Sequence, residues 1–172
     1  MEQIPAKVIE EANDFFEQMN DIERANSFKE FNIEQPELAS FFKIHVTNSE
    51  CDEIKPLIYF LNLVIRRCYR NYGINLSVID MGNILDTSVK FSDKFQLFEK
   101  QDRTFNPENS GINKLFNQDN LMKYINKKIY GERNCPNVYS DSDSYIDIYF
   151  IVLCFILIFN NEMKKHFDDL VN

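Results

Sequence analysis

Tryptophan is absent from this chain, glycine occurs four times, proline five times and histidine twice in 172 residues. Each shortage excludes something. An all-β sandwich needs a turn signal roughly every ten residues, and so few turn formers do not supply it. The four cysteines (Cys51, Cys68, Cys135 and Cys154) contain no C-x-x-C pair, which removes the usual zinc-site spacings. There is no G-x-S-x-G elbow, no H-E-x-x-H helix and no glycine-rich phosphate loop, so no motif announces catalysis. No metal and no cofactor is implied. The opening "MEQIPAKVIEEAND" lacks a basic stretch followed by an apolar one, so it does not read as a signal peptide. Cytoplasmic residence with reduced thiols is the expectation.

What is present is ordinary globular material, 44% hydrophobic and 27% charged, enough for one proper core. The net charge of −8 is lopsided. Residues 1–53 carry 13 acids against 4 bases, whereas residues 54–172 carry 14 acids against 15 bases. An acidic surface repels phosphate backbones, so a nucleic-acid partner is disfavoured. A basic protein partner fits the acidic end better, although acids also serve simply to keep a surface solvated.

The periodicity is helical. Val8, Ile9, Ala12, Phe15, Phe16 and Met19 recur at helical spacing after Pro5, with Glu10, Glu11, Asp14 and Glu17 on the opposite side. Ile22, Ala25 and Phe28 suggest a short second helix. Gln35-Pro36 opens a third, with Leu38, Phe41, Phe42 and His45 inward. The clearest runs over about 55–72: Leu57, Ile58, Leu61, Val64, Ile65, Cys68 and Tyr72 share a face, and Gly73 stops it. A weaker pattern follows to about 101, with Ile84, Phe91, Phe95 and Phe98 as its stripe. Another helix is expected over about 112–130, between the loops at 106–111 and 131–144.

"YFIVLCFILIF", from Tyr149 to Phe159, is the least polar stretch. A bilayer span needs about 20 apolar residues, and runs of 10–14 usually mark buried helices. Charges at Asp147 and Glu162 bound this one. No membrane association is expected. The run predicts a central helix enclosed on every side. The chain also echoes itself. "IYFLNL" from Ile58 is answered by "IYFIVL" from Ile148. Lys29, Phe31 and Asn32 match Lys114, Phe116 and Asn117, and Gln35 and Leu38 match Gln118 and Leu121. A weaker block pairs "VIEEAN" from Val8 with "VIDMGN" from Val78. These blocks suggest a duplicated three-helix unit, 5–72 and 78–160, inside one domain of 172 residues. The fold class is therefore all-α, a compact six- to seven-helix domain packed around the apolar C-terminal helix.

Two surfaces qualify as sites. Glu10, Asp14 and Glu17 form an acidic face on the first helix, suited to a basic partner. Arg66 and Arg70 share a helical face with Tyr69 and Tyr72 nearby, a pattern able to hold a phosphate or carboxylate. Its plainer explanation is a helix end whose cations complement the dipole. Lys123, Lys127, Lys128 and Arg133 form a second basic group with the same two readings. "DSDSYID" from Asp141 resembles the opening of a calcium loop, but Ile146 stands where the turn glycine belongs. Helix capping explains it better. The sequence thus reads as a non-enzymatic interaction module of immunity or regulatory type. A small anion-binding or hydrolytic helical protein built on Arg66, Arg70 and Tyr69 is the alternative.

Overall fold

Seven helices follow one another: α1 (Ala6–Glu17), α2 (Asp21–Glu34), α3 (Pro36–Asn48), α4 (Lys55–Asn71), α5 (Met81–Gln101), α6 (Asp119–Gly131) and α7 (Ser142–Val171). The computed structural model describes residues 3–48, 52, 55–73, 77–101, 116–131 and 142–171. Among the described residues there is no strand. The loop expected over 106–111, residues 132–141 of the second expected loop, Cys51, and the side chains of Phe98 and of Asp141 to Asp147 lie outside the described part. Gly131 and residues 142–144, expected in that second loop, belong to α6 and α7. The helix expected from about 112 begins only at Asp119, because Phe116 and Asn117 form a turn with Asn117 at φ 49°.

The arrangement begins with α7. From Ile148 to Asn160 every side chain is buried except Phe150 and Leu157, which are half-buried. Burying a large apolar side chain is worth about 1.5–3 kcal/mol, so this helix dominates the core. No described helix is long and apolar enough to cross a membrane. Helices α3, α4 and α5 pack on α7, while α1 packs on α4 and α6, and α2 on α3. Phe155 meets Phe31 and Phe42 edge-on, with ring centroids 5.7 and 5.5 Å apart. At the other end Phe150 stacks on Phe91 at 5.6 Å.

Most polar side chains in this core are tied down, as burial requires, although Asn62 Oδ1 on α4 is buried without a hydrogen-bond partner among the described residues. The Tyr69 hydroxyl donates to Asn160 Oδ1 at 2.7 Å, and Asn160 Nδ2 donates to the Phe116 carbonyl at 2.8 Å. That relay joins α4, α7 and the segment leading into α6. The Tyr149 hydroxyl donates to Asn126 Oδ1 at 2.8 Å, fastening α6 to α7. The buried thiols of Cys68 and Cys154 are pushed up to about 12 by desolvation, which keeps both protonated and unreactive.

Two glutamines perform like tasks. Gln35, just before α3, accepts from Ile79 N at 2.9 Å and donates to the Ser77 carbonyl at 2.9 Å. Gln118, just before α6, accepts from Ile4 N at 2.8 Å. Each side chain therefore holds the extended segment that enters a helix of the other half of the chain. The block pairing Val8–Asn13 with Val78–Asn83 does not fit this geometry: the first lies inside α1, whereas Val78 to Asp80 precede α5. Aligning Ile4 with Ile79 also sets the buried Ile9 and Phe16 beside the buried Ile84 and Phe91.

The second helix departs most from its expected face. It runs 14 residues and buries Phe31, while Ile22 is 74% exposed and Ala25 is exposed. Its apolar residues are too few to fix a face by periodicity. What fixes its start is a capping box between Asn20 and Glu23. The third and fourth helices present the predicted faces, and Gly73 ends α4 at φ 87°, a conformation that favours glycine.

Gln35→Ala should cost about 1–3 kcal/mol, because it leaves the buried Ile79 amide without an acceptor. Urea unfolding followed by circular dichroism measures it; a loss within error of zero would show that the entering segment is held by packing alone.

Candidate functional site

A groove of about 580 Å³ lies between α1 and α6, within the usual range of ligand pockets, about 300–1,000 Å³. Its α1 wall carries Glu10, Asp14 and Glu17, and its α6 wall carries Lys123, Lys127 and Lys128. Helical spacing sets each row on one face. The α1–α6 contact brings together two clusters more than a hundred residues apart in sequence. Polar links hold the walls in register. The Tyr124 hydroxyl donates to Asn13 Oδ1 at 2.8 Å, and Asn120 Nδ2 donates to the Ile4 carbonyl at 3.1 Å.

The acidic face is thus one side of a two-signed cleft, and its three members differ. Glu17 pairs with Lys128 at 2.5 Å, and the Lys128 ammonium holds its carboxyl below the usual carboxylate range. Glu10 and Asp14 make no ion pair among the described residues, and neither do Lys123 and Lys127. At the inner end, Lys128 also stands 5.4 Å from the centroid of the Phe60 ring on α4.

The arginine patch resolves differently from its sequence reading. Arg66 and Arg70 do converge, but on Glu34 of α2, which takes one on each carboxylate oxygen. The acid that answers them comes from the second helix. Arg66 also lies over the Phe31 ring, 5.5 Å from its centroid. Tyr69 does not join them. Its side chain is wholly buried, stacked on Phe159 at 5.1 Å, with its hydroxyl turned to α7. It has no surface to offer a ligand, which is a correction to the expected set.

Comparison with protein-family models, characterised proteins and solved structures finds no match.

Arg67 is the residue that sequence reasoning passed over. Its guanidinium lies 3.2 Å from the Phe15 ring centroid, has no acidic partner among the described residues, and leaves Nε buried without an acceptor. Burial, then repulsion from Arg70, lowers its pKa. Nothing in the sequence distinguishes it from Arg66, since one residue along a helix turns the side chain by about 100°. His45 is half-buried against Phe41, centroids 4.4 Å apart, and desolvation lowers its pKa. No serine or cysteine hydrogen-bonds to it among the described residues, so it forms no nucleophile–base pair. Nor do three His, Cys, Asp or Glu side chains converge as metal ligands there.

Two outcomes follow. Glu17, depressed in the folded state, contributes stability above its unfolded value near 4.5, and loses it as pH falls through the lower folded value. At this exposure the contribution stays under about 1 kcal/mol. Lys128→Met should raise the Glu17 pKa, read by NMR titration of its side-chain carboxyl; an unmoved value would mean the pair does not form in solution. Arg67→Met should change stability by no more than about 0.5 kcal/mol, because the thioether keeps the contact with Phe15 and removes an uncompensated charge. A loss above about 2 kcal/mol in urea unfolding would reveal an anionic partner for the guanidinium.

Proposed function

We propose that the protein is a non-enzymatic interaction module, of immunity or regulatory type, whose docking site is the α1/α6 groove. The observation that carries this reading is the pair of uncommitted charge rows. Glu10 and Asp14 on one wall face the same cleft as Lys123 and Lys127 on the other, and none of the four is spent on an ion pair among the described residues. Charges held unpaired beside a cleft add little to stability, and they steer and orient a charged partner. The partner it suits is a protein presenting basic side chains toward α1, with acidic ones along the edge toward α6. A nucleic acid suits it poorly, since its phosphates would meet the α1 carboxylates. The cytoplasm is the compartment we assign, consistent with the free, buried thiols of Cys68 and Cys154.

The anion-binding alternative gains no support from the arginine patch, because Glu34 already occupies the position that a phosphate or carboxylate would take. We also propose that residues 5–72 and 78–160 are two uses of one three-helix unit, with α1, α3 and α4 answering α5, α6 and α7 and α2 additional to the first. The paired roles of Gln35 and Gln118 support that duplication.

Capture of partners from a lysate of the source cells tests the docking site. The baits are wild type, Glu10→Lys with Asp14→Lys, and Lys123→Glu with Lys127→Glu, with Asp86→Lys on α5 as the surface-charge control. A specific partner should be retained by wild type and by the control, and fall at least about tenfold with either reversed wall, as two or more lost charge contacts imply. Equal recovery with both reversed walls would sink the reading.

A further inference from the structure

A second cavity, of about 460 Å³, opens on the neighbouring surface between α2, the end of α3 and α4. Its apolar lining includes Phe28, Tyr59, Phe60 and Leu63. Phe28 and Tyr59 meet edge to face, centroids 4.8 Å apart at 78°. Tyr59 also stands edge-on to Phe42 at 5.4 Å. The rings are therefore braced from behind by the core, which makes the cavity wall rigid.

Three polar groups on this cavity are uncommitted. Lys43 makes no ion pair or hydrogen bond among the described residues, and neither do the Tyr59 hydroxyl and the Asn32 side-chain amide. Arg24, also on the wall, is already engaged. It donates from Nε to the Phe16 carbonyl at 3.0 Å and from Nη2 to the Glu17 carbonyl at 3.4 Å, and it faces Asp21 at 3.6 Å. Among the described residues one free cation, one free hydroxyl, the Asn32 amide and an aromatic lining remain.

We propose that this cavity binds a small aromatic carboxylate, with the ring system against Phe28, Tyr59 and Phe60 and the single negative charge at Lys43. The charge count sets the class. A polyphosphate would find only one free cation and would meet Asp21. A cationic ligand is opposed because Phe60 already faces two cations, the Arg24 guanidinium at 5.9 Å and Lys128 at 5.4 Å from its centroid. An aliphatic acid would forgo the ring–ring contacts, worth more than their area alone. The site takes a small molecule, is formed by other residues than the α1/α6 groove, and stands apart from the docking role proposed there.

Titration of the full chain by 1-naphthaleneacetate, with amide shifts read in ¹H–¹⁵N spectra, tests it. Saturable binding should move the signals of Phe28, Tyr59 and Phe60, and hexanoate should bind at least several-fold more weakly. Lys43→Gln should weaken naphthaleneacetate by up to about fivefold, the range of an exposed charge contact, and leave the neutral 1-naphthaleneacetamide unchanged. Ala25 lines the cavity from an exposed position on α2, so Ala25→Phe fills it without touching the core and should block both naphthalene probes. Glu10→Lys with Asp14→Lys should leave naphthaleneacetate affinity intact, which separates this site from the groove. The proposal is overturned by the absence of saturation, by equal affinity for hexanoate, or by an Ala25→Phe variant that binds as wild type.

Discussion

A helix apolar on every side has no face to give to water, and α7 is such a helix over the 13 positions from Ile148 to Asn160. It must be enclosed before any other demand is met. Helices α3, α4 and α5 supply direct cover, and aromatic rings of α2, α3 and α5 close around Phe150 and Phe155. The one polar residue at the end of that run, Asn160, is tolerated because it both accepts from Tyr69 and donates to the Phe116 carbonyl. Enclosure therefore costs little in unsatisfied polar groups and gains most of the core.

The remaining helices inherit freedom from that arrangement. Helix α1 rests on α4, and α6 reaches α1 and is tied to Tyr149 of α7 through Asn126. An element attached this way needs a narrow apolar stripe, Ile9, Ala12 and Phe16 in α1, and can spend the rest of its surface on charge. The α1/α6 groove lies in this outer layer, and the second cavity lies where α2 meets the outward side of α3 and α4. They meet at Lys128, which pairs with Glu17 in one and faces Phe60 beside the other.

The same hierarchy explains how much could be read from the residues alone. Helices α4 and α7 were legible because packing against a continuous core leaves an unbroken apolar pattern, from Ile58 to Cys68 and from Ile148 to Phe159. Helix α2 was legible in position but not in face: with Ile22 and Ile33 exposed at 74% and 80%, its hydrophobic residues point both ways. The charge clusters were visible separately, yet the groove was not, because juxtaposing α1 and α6 is a product of the tertiary fold. Arg66 and Arg67 illustrate the limit most sharply. Adjacent and chemically identical, they end against Glu34 and against the Phe15 ring, and only the helix rotation separates their fates.

The two halves of the chain bear on why the groove is charged. Under the alignment that sets Ile4 with Ile79 and Gln35 with Gln118, Glu10 and Asp14 correspond to Leu85 and Val89, and Lys127 corresponds to Ile44. Those three apolar residues are 48%, 59% and 56% exposed on α5 and α3, helices that contact each other as α1 and α6 do. Under the proposed duplication, the same positions carry leucine, valine and isoleucine in one setting and glutamate, aspartate and lysine in the other, with both settings accommodated by the fold. Packing does not dictate charge there. The choice of two opposed rows of ions at one site is then a property of the surface, and a surface property of that kind acts on whatever approaches it.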